Sequence, residues 1–107
     1  MRRHTKHIAF KRIASDALDH IDAILARWLP DGQLQSEEYV VRNPTRADKR
    51  PGSFSINVRR GCWADFATGD RGGDLISLAA YLFQLSQAEA AIRLATLLGV
   101  SPYDDER

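Results

Sequence analysis

One cysteine, Cys62, and three histidines are the only thiol and imidazole ligands in this chain of 107 residues. A single thiol excludes an internal disulfide, and scattered histidines beside it cannot assemble a tetrahedral Cys/His zinc site of the usual kind. No apolar run approaches the ~18 residues that span a bilayer, and the first arginines lead into an amphipathic segment in place of an apolar signal core. A cytoplasmic protein with no membrane partner is the expectation. No Gly-Lys-Ser/Thr follows the glycine-rich stretch, which excludes a P-loop. His4, His7 and His20 lack a nearby nucleophile and a patterned partner, and Cys62 reads as a small strand residue. A magnesium cluster of Asp65, Asp70 and Asp74 is the weakest reading. No catalytic residue, metal or cofactor is assigned, and the chain is expected not to be an enzyme.

What is present is 44% apolar content, enough for one domain with a modest core. The net charge of +1 hides an asymmetry: residues 1–60 hold 12 Lys/Arg and 7 Asp/Glu, and residues 61–107 hold 3 and 7. Arg42, Arg46, Lys49, Arg50, Arg59 and Arg60 fall within nineteen residues that contain one acid, Asp48. On one face they would create a positive potential; dispersed, they are an ordinary solvated loop.

Two tails flank a structured middle: a basic tail over 1–9 and an acidic tail over 101–107 on either side of a single domain over 10–100. Ile13, Ala17, Leu18, Ile21, Ile24, Leu25 and Trp28 recur at three- and four-residue steps, which predicts one amphipathic helix stopped by Pro30, Asp31 and Gly32. A strand is predicted between Leu34 and Arg42, around Tyr39, Val40 and Val41. A loop with two prolines follows over 43–52. Phe54, Ile56 and Val58 alternate with Ser53, Ser55 and Asn57, the mark of a strand with one buried face. Arg59, Arg60 and Gly61 turn the chain into a return strand over Cys62–Phe66.

Gly69–Gly73 reads as a turn, with Asp74 capping a helix that begins at Leu75. Backbone amides at that helix start are an alternative phosphate site, although Asp74 itself would repel the anion. Ser86 and Glu89 form a capping box for a second helix that ends at Gly99. Trp63 is assigned either to the core or to an aromatic platform on which an unpaired base could stack. Phe54 and Phe66 are assigned to the core, and Trp28 to helix packing.

In order, NPTR (Asn43–Arg46), KRPGSF (Lys49–Phe54), DFAT (Asp65–Thr68), GGD (Gly72–Asp74) and LSQAEA (Leu85–Ala90) resemble the motifs of the CHC-type zinc-binding domain of bacterial and phage DNA primases. The resemblance covers about half the chain. It needs one extra residue in KRPGSF and another between Thr68 and Gly72. The family's ligand pairs fall on Asn43 with Arg46 and on Asp65 with Thr68, none of them a zinc thiolate, so the resemblance implies a metal-free relative. An Arg46–Asp65 ion pair in place of the metal would tie the basic loop to the hairpin end.

The resemblance further implies an α+β fold: an N-terminal helix, a three- or four-stranded antiparallel sheet of zinc-ribbon type, and a C-terminal helical hairpin. The implied function is nucleic-acid binding, to single-stranded template DNA, in a replication system of a phage or mobile element. Arg42, Arg46, Lys49, Arg50, Arg59 and Arg60 would contact phosphates, Trp63 would stack, and Arg71 would add a contact beside the glycine turn. The alternative is an adaptor that docks a primase, helicase or replication initiator.

Overall fold

Residues 7–104 are described by a computed structural model. Helix α1 spans Phe10–Leu18 and α2 spans Ile21–Trp28. Five strands follow, β1 (Gln33–Gln35), β2 (Glu38–Val41), β3 (Phe54–Asn57), β4 (Trp63–Asp65) and β5 (Asp70–Gly72). Helices α3 (Leu75–Phe83) and α4 (Gln87–Leu98) close the chain. The α+β expectation holds, but the sheet has five strands where three or four were expected; its order β1-β2-β3-β4-β5 is an antiparallel meander.

The predicted N-terminal helix is two. In an unbroken helix the His20 amide would donate to the Asp16 carbonyl. Here it donates to Ala17 O at 2.9 Å, and the His20 ring Nδ1 lies 3.0 Å from Asp16 O. The side chain has taken the backbone's place, which breaks the ladder. Ile13 and Ala17 of α1 and Ile21, Ile24 and Leu25 of α2 are all buried in one core, so the apolar period runs on through the break.

The predicted strand over 34–42 is a hairpin. Gln35 pairs with Glu38 across a two-residue turn, with Ser36 at φ 58°. The glycine-rich stretch is likewise more than a turn. Thr68 and Gly69 (φ 84°) reverse the chain, both amides donating to Asp65 O, and Asp70–Gly72 returns as an edge strand. Gly72 is needed there because a Cβ would stand 2.5 Å from Trp63 Nε1 and 2.3 Å from Ser77 Oγ. The indole lies against that backbone and donates to Ser77 Oγ at 3.0 Å.

Val41, Phe54, Ile56 and Trp63 put one sheet face into the core with Leu75, Ile76, Leu78 and Leu94. Both C-terminal helices begin in capping boxes, Asp74 with Ser77 and Ser86 with Glu89. Gly99 takes φ 73° at the end of α4. The drawn tails also shorten. Ile8 bridges Tyr103, and the Ala9 amide donates to Pro102 O at 2.9 Å, so these residues join the fold. Arg2, Arg3, His4 and Lys6 of the basic tail lie outside the described residues, as do residues 105–107. Among the described residues no single helix is long and apolar enough to cross a membrane; α3 and α4 together have the length and composition, but they are bent by 108°.

Candidate nucleic-acid interface

Strand alternation sends Trp63 and Asp65 to the inner face of β4 and Ala64 and Phe66 to the outer one. Asp65 ends β4 fully buried, beside the loop between β2 and β3. Arg46 Nε donates to Asp65 Oδ2 at 2.9 Å, and its Nη2 reaches Asp65 Oδ1 at 3.3 Å and Ser53 Oγ at 2.8 Å. Asn43, also buried, donates through Nδ2 to Asp65 Oδ2 and to the Tyr81 hydroxyl, both at 2.8 Å. Its Oδ1 accepts from the Thr45 amide at 2.9 Å, and its own amide donates to Asp48 Oδ2 at 2.8 Å. The Ala67 amide donates to Asp65 Oδ1 at 2.9 Å, and Tyr81 in turn donates to Asp70 Oδ2 at 2.8 Å.

Loop, hairpin end, edge strand and α3 are therefore joined through Asp65 and its neighbours. The anticipated Arg46–Asp65 pair is present, and Asn43 and Tyr81 extend it. All four positions of the expected ligand pairs take part, because Thr68 donates its backbone amide to Asp65 O at 3.2 Å. These residues do not fit a zinc ion. Their donors and acceptors are spent on one another, and among the described residues no buried side-chain N or O lacks a partner. No group of three or more His, Cys, Asp or Glu gathers among them either, and the imagined magnesium trio is not formed.

The hydrogen bond from Arg46, and after it that from Asn43, holds the Asp65 carboxyl well below the usual carboxylate range against the opposing effect of burial. As pH falls past the ordinary Asp value of ~3.9, the unfolded chain takes up this proton before the folded one does. The stability that Asp65 contributes is thus complete near neutrality and is lost as pH drops toward the folded-state pKa. Acid titration followed by near-ultraviolet circular dichroism of the tryptophans should show this loss below about pH 4, and Asp65→Asn should flatten that limb. An unchanged acid limb in Asp65→Asn would show that the carboxylate is not the group responsible.

On its outer face the sheet carries the cross-strand row Gln33, Val40, Ser55, Ala64 and Arg71. None of these residues belongs to the core cluster. Beside the row, Glu38 accepts from Ser55 Oγ at 3.0 Å and Asn57 Nδ2 at 2.6 Å. Asn57 Oδ1 then accepts the amides of Arg59 and Arg60 at 3.0 and 2.9 Å, fixing the turn between β3 and β4. Arg60, Cys62, Ala64, Ser55 and Phe66, together with Glu38, Asn57 and an edge of Trp63, line a shallow groove of ≈ 170 Å³ here. Phe66 is 78% exposed.

The predicted site residues are divided by this geometry. Trp63 is 6% exposed on the opposite face, tilted against Tyr81 with ring centroids 4.6 Å apart, and is not a platform; strand alternation puts it on the side that α3 covers. Arg46 is committed to Asp65. Arg42 stands 3.8 Å from Asp31, and Arg59 3.1 Å from Glu37. Arg60 lies at the groove, Arg71 projects from the same sheet face, and Lys49 and Arg50 are exposed on the loop. Phe66, expected in the core, is the exposed ring. Its signal was available: Trp63 and Asp65 share the inner face, so Phe66 cannot. Asp74 fills the start of α3 itself, accepting from the Ser77 amide at 2.8 Å, which is the capping reading of that turn.

Fold and site together define a small α+β module, a five-stranded meander with helices on one face and a polar lock joining its basic loop to its hairpin end. It is similar to the crystal structure of the Aquifex aeolicus primase (zinc binding and RNA polymerase domains), with a TM-score of 0.67 and 22% identity over 94% of this chain. The chain spans 23% of the length of that one, and at this identity the likeness establishes a primase-like fold. No protein-family model matches the sequence, and no curated protein does.

Proposed function

We propose that the chain is a non-catalytic module that binds single-stranded template DNA in a primase-related replication system, of the kind carried by phages and mobile elements. The observation that carries this reading is the open sheet face, where an exposed phenylalanine borders a groove that contains Ser55, Ala64 and Arg60, with Arg71 on the neighbouring strand and the Glu38 carboxylate occupied by Ser55 and Asn57. A flat floor of Ser55, Ala64 and Val40 admits a planar base, Phe66 supplies a stacking surface, and Arg60 and Arg71 meet the phosphates on either side. Lys49 and Arg50 add exposed positive charge on the β2–β3 loop, whereas the charges of Arg42 and Arg59 are offset by Asp31 and Glu37. Trp63 and Arg46 support the site from beneath. The primase-like fold supports the assignment to replication.

Anisotropy of labelled oligonucleotides at several salt concentrations tests the proposal. Affinity for single strands should fall steeply with salt, with a slope of about 0.7 per phosphate neutralised. Phe66→Ala should weaken binding about fivefold or more, the stacking contribution of ~1–3 kcal/mol per base, with the salt slope unchanged. Arg60→Gln and Arg71→Gln should each reduce that slope. Binding that ignores all three substitutions would remove the sheet face from consideration.

A further inference from the structure

We propose that the helical side of the molecule carries a second, independent site that receives an acidic amphipathic helix of a partner protein. Helix α2 packs less closely on α3 and α4 than α1 does. Between α2 and that pair run two hollows of ≈ 360 and ≈ 340 Å³, which share Arg27 and Leu97 and so form one trough. Its apolar lining includes Ile24, Trp28, Phe83, Leu94 and Leu97. Phe83 is 45% exposed, although its ring packs edge-on against Trp28 at 5.6 Å, and Leu97 is 38% exposed. Large apolar side chains that remain this open along one continuous groove mark a contact surface.

The charge of the trough selects the occupant. Every charged residue lining it is basic, Arg27 and Arg93, and no carboxylate lines either hollow. Arg27 and Arg93 form no ion pair with a described residue. Glu89, one turn before Arg93, attracts it electrostatically, but its carboxylate is held at the helix start, accepting from the Ser86 amide at 3.0 Å, and does not line the trough. An entering segment must therefore bring carboxylates beside its apolar anchors. The walls are helices whose backbone groups bond within themselves, so no free strand edge is offered and an added β-strand has nothing to pair with. An amphipathic helix with anchors at i, i+4 and i+7 fits such a groove. The trough shares no residue with the open sheet face, so one module could hold DNA and a protein together.

The probe is a fluorescein-labelled, side-chain-stapled peptide of sixteen residues with Leu, Phe and Leu anchors at i, i+4 and i+7 and Glu at the flanking positions. Its mate has Lys at each Glu. The acidic peptide should bind the full chain at least ten times more tightly than the basic one and should perturb the Trp28 indole resonance. Leu97→Asp, at an exposed position that leaves the core intact, should abolish binding, and Arg27→Glu with Arg93→Glu should reverse the preference between the peptides. Single-stranded DNA binding should be unchanged in all of these variants. Equal affinity for both peptides, no binding of either, or a second copy of the chain filling the trough in sedimentation experiments would overturn the proposal.

Discussion

Replacing Asp65 with alanine should destabilise the protein by about 3 kcal/mol or more, the usual cost of removing one partner from a buried ion pair. In a domain of this size the melting temperature would fall on the order of 10–20 °C. The side chain is fully buried and accepts from Arg46, Asn43 and the Ala67 amide, so its loss strands three donors from two segments. A stranded buried donor keeps its full desolvation penalty. Arg46 is the more exposed partner, but Arg46→Ala leaves the fully buried Asp65 carboxylate without its counter-charge and also removes the contacts to Ser53 and Asp48, so it should cost at least as much. Replacing both residues by leucine should recover part of the Asp65→Ala loss, because neither member of the pair is then left without the other; Asp48, 8% exposed, loses Arg46 but still accepts from the Asn43 amide. Strictly additive effects in this cycle would mean that the two residues do not act as a clip, and an Asp65→Ala protein within about 1 kcal/mol of its parent would deny the lock a structural role.

That lock was partly legible before any coordinates. The ordered motifs placed Arg46 and Asp65 together, and their opposite charges supplied the pairing. Asn43 was noticed only as a missing ligand, because an uncharged amide announces no partner in a sequence. Tyr81 was invisible, since its hydroxyl reaches the site from α3 across 38 positions. The same division runs through the fold. The Asp74 cap, the Ser86 capping box and the helix end at Gly99 are local chemistry and agree with the structure; that Ser77 completes a box with Asp74 was not foreseen.

Breaks that depend on a side chain competing for a backbone partner were missed, as at His20. So was the Ser36–Glu37 turn, made without the Asn or Gly that usually signals a hairpin. Strand β5 is written in turn residues, Asp, Arg and Gly, and exists because Gly72 accepts the Trp63 indole against its backbone. At the site, counting basic residues along the chain overlooked that an ion pair or a strand face decides which of them reach solvent. Alternation along β4, applied one residue further, distinguishes Phe66 from Trp63.

Restoring a metal donor set at the lock should convert the protein into one that holds zinc. In the variant carrying Asn43→Cys, Arg46→His, Asp65→Cys and Thr68→Cys, the spacing becomes Cys-x-x-His followed by Cys-x-x-Cys, a Cys₃His set suited to tetrahedral zinc. The side chains at 43 and 46 already meet that at 65, with contacts of 2.8 and 2.9 Å, and Thr68 Oγ1 lies 3.4 Å from the Asp65 carbonyl oxygen. Four substitutions forfeit the polar network, so the metal-free variant should be largely unfolded. A structural zinc contributes about 10 kcal/mol or more in favourable cases, well above that loss. Metal analysis should find one zinc per chain, and a chelator should melt the variant while leaving the parent's transition where it was. Two-site variants at positions 43 and 65 should not hold the ion, because two thiolates leave its tetrahedron half filled. A variant that fails to fold with zinc, or binds it without stoichiometry, would show that these four positions do not converge as the lock requires.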